Sequence, residues 1–150
     1  MIEGEGHDHD EDEKDACLDH IAIAVKSLQM GKRVYEEMGL IFSSSSEVVT
    51  GEGVETLFAP IDEHAHLELL SPYGESGPLH KFLEKNGPGI HHLCFCVADV
   101  EKKCAELRIK GYQLIYDTPR IGARGMKVNF VHPKSTDGVL IELVQRDFKT

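Results

Sequence analysis

Two histidines and two glutamates recur along this 150-residue chain at nearly constant spacing. The segments "LDHIAIAV" (18–25) and "IHHLCFCV" (90–97) place His20 72 positions before His92. The segments "HLELLS" (66–71) and "LIELVQ" (140–145) place Glu68 74 positions before Glu142. Each glutamate sits in an otherwise apolar run, where an unpaired carboxylate would be costly to bury and so needs a cation or a donor. Two imidazoles and two carboxylates from matching positions suit one divalent metal ion, with coordination positions left for water or substrate.

The elements that position these residues repeat as well. Setting 18–40 over 90–112 aligns His20 with His92, Ser27 with Asp99 and Gly39 with Gly111. Each half reads as a strand, then a helix capped by Ser27 or Asp99 and ended by Gly39 or Gly111. Leu28, Val34, Tyr35 and Met38 supply helical spacing in the first half, and Val100, Cys104, Leu107 and Arg108 in the second. Further strands are expected near 41–48, 53–60 and 64–70, and near 113–117, 126–132 and 139–145. The result is tandem β-α-β-β-β modules, 17–70 and 90–146, joined by a connector over 71–89 with a short helix from Pro78 to Lys85. Each half is too small to bury much core alone, so 17–146 is expected to form a single domain.

Strand alternation then sorts the side chains. Leu18, His20, Ala22 and Ala24 share one face, as do Ile90, His92, Cys94 and Cys96; these small residues leave room for a cavity. Asp19, Ile21, Ile23 and Val25, and likewise His91, Leu93, Phe95 and Val97, belong to the opposite face, under the helices. His92 is thus the expected ligand, and His91 a structural residue on the helix side.

Composition excludes several function classes. The formal charge is −10, but residues 1–16 hold eight acids against Lys14 and carry −7 of it, leaving about −3. That balance points to no nucleic-acid partner. The acidic segment 1–16 is expected to be a disordered, solubilising tail, with His7 and His9 only adventitious metal binders. The apolar runs are short, and the beginning is acidic where a leader would be basic, so a soluble cytoplasmic protein without membrane contact is expected. Cys17, Cys94, Cys96 and Cys104 do not make a disulfide scaffold, and Cys94 and Cys96 read as small buried fillers.

The segments "LDHIAIAV" (18–25), "GPLHKFLEKNGPGIHHLCFCV" (77–97) and "VNFVHPKSTDGVLIELVQ" (128–145) resemble the vicinal oxygen chelate superfamily and, within it, the methylmalonyl-CoA epimerase family. That resemblance implies an α+β fold whose tandem modules form a curved mixed sheet around a metal site. It implies epimerisation of methylmalonyl-CoA through an enolate, with His20, Glu68, His92 and Glu142 as ligands of one divalent ion. Co2+ is the expected metal, with Mn2+, Ni2+ or Zn2+ as alternatives. The resemblance also makes Glu55 a catalytic base, with Glu52 its nearest rival and Glu142 the second proton carrier. The coenzyme A portion needs cationic surface, for which Arg120, Arg124, Lys127 and Lys134 around "IGARG" (121–125) are the candidates. Relatives imply a homodimer. The competing readings are a glyoxalase I-type lyase or isomerase, and a non-catalytic binding protein on the same scaffold.

Overall fold

The computed structural model describes residues 16–146, so the expected tail falls almost wholly outside the described residues. β1 (Ala16–Ala24) leads into α1 (Leu28–Glu37), where the Ser27 hydroxyl accepts from the Met30 amide at 3.4 Å. β2 (Glu47–Val49), β3 (Val54–Pro60) and β4 (His66–Pro72) complete the first module. α2 (Pro78–Asn86) occupies the connector, with Pro78 in its first turn, where the missing N–H leaves no helical bond unmade. The second module repeats the pattern with β5 (Gly89–Val97), α3 (Val100–Ile109), β6 (Arg120–Ile121), β7 (Lys127–Val131) and β8 (Ile141–Gln145). Asp99 caps α3, accepting from the Lys102 amide at 3.0 Å. Gly39 and Gly111 follow the two helices at φ 105° and 96°, a conformation that favours glycine.

Among the described residues the strands form one eight-stranded sheet in the order β2-β3-β4-β1-β5-β8-β7-β6. β1 and β5 pair antiparallel at its centre, while β1–β4 and β5–β8 are parallel, so each half mirrors the other about that seam. The sheet curls. On its convex face α1 covers Val25, Leu57, Ala59, Leu67 and Leu69, and α3 covers Val97, Val131 and Leu143. A Cβ built on Gly31 would stand 2.9 Å from Val25 Cγ1, so this glycine lets α1 lie close to the sheet. The concave face carries Ala22 and Ala24 beneath α2, and Cys94, Cys96, Val128 and Val144.

Several expectations are corrected. In place of the strand expected at 41–48, the ladder runs over Glu47–Val49, while Ser43 Oγ bonds locally to Ser45 O and Ser46 Oγ reaches across to Glu55. The expected strand at 113–117 is reduced to a Leu114–Val131 bridge. There the buried Asn129 side chain of β7 accepts from the Tyr116 amide and donates to the Tyr116 carbonyl, tying the segment to β7 through a side chain in place of further ladder bonds. Val34 and Met38 remain exposed on α1 while Leu28 and Tyr35 pack.

The cysteine reading is also corrected. Cys94 and Cys104 are buried free thiols, but Cys17 and Cys96 are directly opposed on β1 and β5 and form a disulfide. It closes a loop of 79 residues across the central seam. A disulfide that constrains the unfolded chain typically contributes about 2–4 kcal/mol. Reduction is therefore expected to lower the unfolding free energy by about that amount in urea titrations. A Cys17→Ser variant should start at the lower value and be insensitive to reductant.

Candidate metal centre and active-site cavity

The sheet registers assemble the four residues row by row. In one row Phe58 on β3, Glu68 on β4, Ala22 on β1 and His92 on β5 are lateral neighbours; in the other, Phe130 on β7, Glu142 on β8, Cys94 on β5 and His20 on β1. Each glutamate is thus separated from a histidine by one small side chain, which leaves space above it. The rows run in opposite directions across the seam, so the two histidines meet with Nε2 atoms 3.3 Å apart. Phe58 and Phe130 close the ends, each edge-on to a histidine ring at 5.6 Å.

The structure brings His20, Glu68, His92 and Glu142 into one buried cluster whose ligand atoms all lie within 4.8 Å of one another. His20 Nε2 is 3.0 Å from Glu68 Oε1 and 3.2 Å from Glu142 Oε1, and His92 Nε2 is 2.9 Å from Glu142 Oε1. Burial disfavours a charged Glu142, but its hydrogen bonds to His20 and His92 outweigh that and hold its pKa down at about 2. The donor set fits a divalent ion: two imidazole nitrogens and two carboxylate oxygens converge on one point, with no bulky residue between them.

Two β-bulges alter the expected alternation. The β1–β5 register steps from Leu18–Phe95 to His20–Cys94, leaving Asp19 as an extra residue, and from Ala22–His92 to Ile23–Ile90, leaving His91 extra. An extra residue turns its side chain onto the same face as its neighbour. Asp19, expected beneath a helix, is fully buried with Oδ2 2.7 Å from His20 Nδ1. His91, expected on the helix side, lines the concave cavity, with Nδ1 2.8 Å from His92 Nδ1 and its ring edge-on to Phe82 of α2.

The cluster forms the floor of a cavity of about 440 Å3 that also contains Glu52, Tyr116, Arg120 and Arg124. Glu52 ends a short turn over Thr50–Glu52, followed by Gly53 at φ 67°, which swings the chain into β3. Its Oε2 is buried without a partner. Burial first, and then the negative charges of Glu142 and Glu68, raise its pKa to about 7. Gly122 makes room: a Cβ there would stand 3.1 Å from Val128 Cγ2 and 3.6 Å from Glu52 Oε2.

Glu55, the base expected from the sequence, is not among the residues lining this cavity. It shares a strand face with Leu57 and Ala59, the face covered by α1, and accepts a hydrogen bond from Ser46 Oγ at 2.5 Å. It lines a separate depression with Leu28, Lys32 and Ser71 on the convex side. Of the cationic candidates, Arg120 and Arg124 line the cavity. Arg120 stacks on Tyr116 at 3.9 Å; Arg124 lies over Phe58 at 4.7 Å and pairs with Asp19 at 2.9 Å. Lys127 and Lys134 are not among the lining residues; Lys127 pairs with Glu101 at 3.6 Å. Sequence reasoning did not select Asp19 or Tyr116. For Asp19 a signal existed, since Asp19 and His91 share the 72-position offset of the ligands.

Comparison with known proteins agrees with this architecture. Residues 19–130 match the glyoxalase/bleomycin resistance protein/dioxygenase superfamily. The chain is 38% identical to a mitochondrial methylmalonyl-CoA epimerase of Dictyostelium discoideum, over 86% of this chain and 78% of that protein. It is 36% identical to an ethylmalonyl-CoA/methylmalonyl-CoA epimerase of Cereibacter sphaeroides, over 85% of this chain and 96% of that one. A solved methylmalonyl-CoA epimerase in complex with methylmalonyl-CoA and NH4+ superimposes with a TM-score of 0.84 at 35% identity, covering 90% of this chain and 97% of that chain.

The unpartnered Glu52 carboxylate makes a stability prediction. Its folded pKa, about 7, is above the ordinary 4.5, so the unfolded chain gives up this proton first as pH rises. Folding is unaffected below about pH 4.5, is progressively penalised between there and 7, and above 7 bears the full difference of about 3 kcal/mol. In chelator-treated protein, Glu52→Gln is expected to raise the urea unfolding free energy by up to about 3 kcal/mol at pH 8 and by little at pH 4.5.

Proposed function

The chain belongs to the glyoxalase/bleomycin resistance protein/dioxygenase superfamily and, within it, to the methylmalonyl-CoA epimerases, and on that premise we propose that it interconverts (2R)- and (2S)-methylmalonyl-CoA. The observation that carries this reading is the meeting, in one cavity, of a four-residue metal-ligating cluster, a carboxylate with a raised pKa and two arginines.

The reaction removes a proton from a carbon flanked by a thioester and a carboxylate and returns one to the opposite face. His20, Glu68, His92 and Glu142 would hold one divalent ion, Co2+ by resemblance. Bound there, it would supply Lewis-acid stabilisation of the negative charge that proton removal leaves on the substrate oxygens. Glu52 is the proposed proton carrier on one face. What supports it is a place in the cavity beside the cluster and a buried carboxylate oxygen free of other partners, able to take and return a proton. Glu142 is the proposed carrier on the other face, its contacts to both histidines running through Oε1. Arg120 and Arg124 are proposed to meet the anionic parts of the substrate at the cavity wall. The rings of Phe58 and Phe130 stand edge-on against His20 and His92 at the ends of the two rows. The same reading takes the enzyme as a cytoplasmic homodimer.

The test follows exchange of the substrate α-hydrogen in deuterated water. Metal-loaded protein is expected to exchange and epimerise (2R)-methylmalonyl-CoA, and chelator-treated protein to do neither. Glu52→Gln should lose about 10²–10⁴-fold in epimerisation rate, and Glu55→Gln should stay near normal. Loss on Glu55→Gln with a normal Glu52→Gln would reverse the assignment. Absence of exchange in every sample, with turnover of a glutathione thiohemiacetal instead, would favour the glyoxalase I-type reading.

A further inference from the structure

The residue before each candidate ligand histidine is the bulge residue of its strand, Asp19 before His20 and His91 before His92. Resting on the metal reading above, we propose that Asp19 and His91 are twin positioning residues that fix the tautomer and ring orientation of His20 and His92, so that both Nε2 atoms face the ion.

On an unbroken strand the neighbour of an inward-facing residue points to the other side of the sheet and could not reach it. The bulges remove that obstacle at both places, setting Asp19 against His20 and His91 against His92. At His20 the bond has a single sense. A carboxylate accepts, so the 2.7 Å contact to Asp19 Oδ2 puts a hydrogen on Nδ1 and leaves the Nε2 lone pair of the neutral ring for a metal. Asp19 is itself clamped, with Arg124 Nη2 2.9 Å from Oδ2 and Arg146 Nη1 3.1 Å from Oδ1.

At His92 the partner is neutral. For His92 Nε2 to ligate, Nδ1 must donate, and the acceptor at 2.8 Å is His91 Nδ1. An imidazole nitrogen accepts only in the uncharged ring, so this contact requires His91 to carry its hydrogen on Nε2. The edge-on contact with Phe82, 4.8 Å between centroids, holds its plane. The twofold arrangement is therefore chemically unequal. An anionic acceptor makes His20 the more basic ligand, and a neutral acceptor makes His92 the weaker one. Metal retention should depend more on Asp19 than on His91.

The test titrates Co2+ into chelator-treated full-length protein by calorimetry and records 15N-histidine spectra of the Zn2+-loaded protein. Asp19→Asn is expected to weaken Co2+ binding by about a hundredfold and His91→Phe by about tenfold, the range typical for groups that orient metal ligands. His91→Asn, whose side-chain carbonyl can accept in place of the imidazole, should restore near-normal affinity. Wild-type spectra should show Nδ1-protonated His20 and His92 and an His91 protonated on Nε2, and the His92 Nδ1 proton should exchange faster with solvent in His91→Phe. If Asp19→Asn does not fold, the His91 pair and the wild-type spectra decide. Wild-type affinity in both Asp19→Asn and His91→Phe, or an His92 ring protonated on Nε2, would overturn the positioning role while leaving the metal reading intact. A wild-type protein that binds no divalent ion would overturn both.

Discussion

The antiparallel pairing of β1 with β5 is the contact on which the rest of the molecule depends. Among the described residues it is the only place where the two modules share a ladder, it carries both histidines, and it includes the Cys17–Cys96 disulfide. Its register decides which residues lie across from one another. With His20 opposite Cys94 and His92 opposite Ala22, each imidazole has a small neighbour and each glutamate the same small neighbour on its other side. A shift of one residue would turn the histidines to the helix side and leave two buried carboxylates unpartnered.

The bulges in this pairing do more than bend the strands. They place a polar residue on the cavity face beside each histidine, where strict alternation would place it under a helix. The first is tied to the opposite module, because Asp19 is held by Arg124 from the β6–β7 turn and by Arg146 just after β8. The same turn reaches β2, where the Arg124 amide donates to Glu47. Arg124 adopts φ 59°, unusual for a residue with a side chain, and its contacts run to Asp19, Glu47 and Phe58 of the first module. The cavity wall is thus built from the two ends of the sheet at once.

Electrostatics and stability pull in opposite directions here. Glu52, Glu68 and Glu142 gather three acids around one cavity, and burial first, then the charges of the other two, raise the Glu52 pKa. The disulfide, the aromatic ends of the rows and the two apolar layers beneath α1 and α3 offset that penalty. A divalent ion would offset it directly, so folding and metal binding are expected to be coupled.

Much of this was legible in the sequence, because duplication makes local patterns confirm one another. The 72-position offset of His20 and His92, the matching "LEL" and "IEL" segments, and the paired Ser27/Asp99 caps and Gly39/Gly111 stops are local features that identify the two modules and the four-residue cluster. Glu52 and Glu55 could not be separated in this way, since they are three residues apart and only the turn ending at Gly53 decides that the first enters the cavity and the second lies against α1. The faces of Asp19 and His91 were misread for a related reason: an extra residue in a ladder is defined by the partner strand, and no spacing within one strand reveals it. Cys17 and Cys96, 79 residues apart, likewise became a pair only once β1 and β5 lay side by side. The sequence by itself determined which side chains could ligate and on what repeating frame; the tertiary pairing of β1 with β5 decided which of their neighbours face them, because strand register is a property of two chains of backbone and not of one.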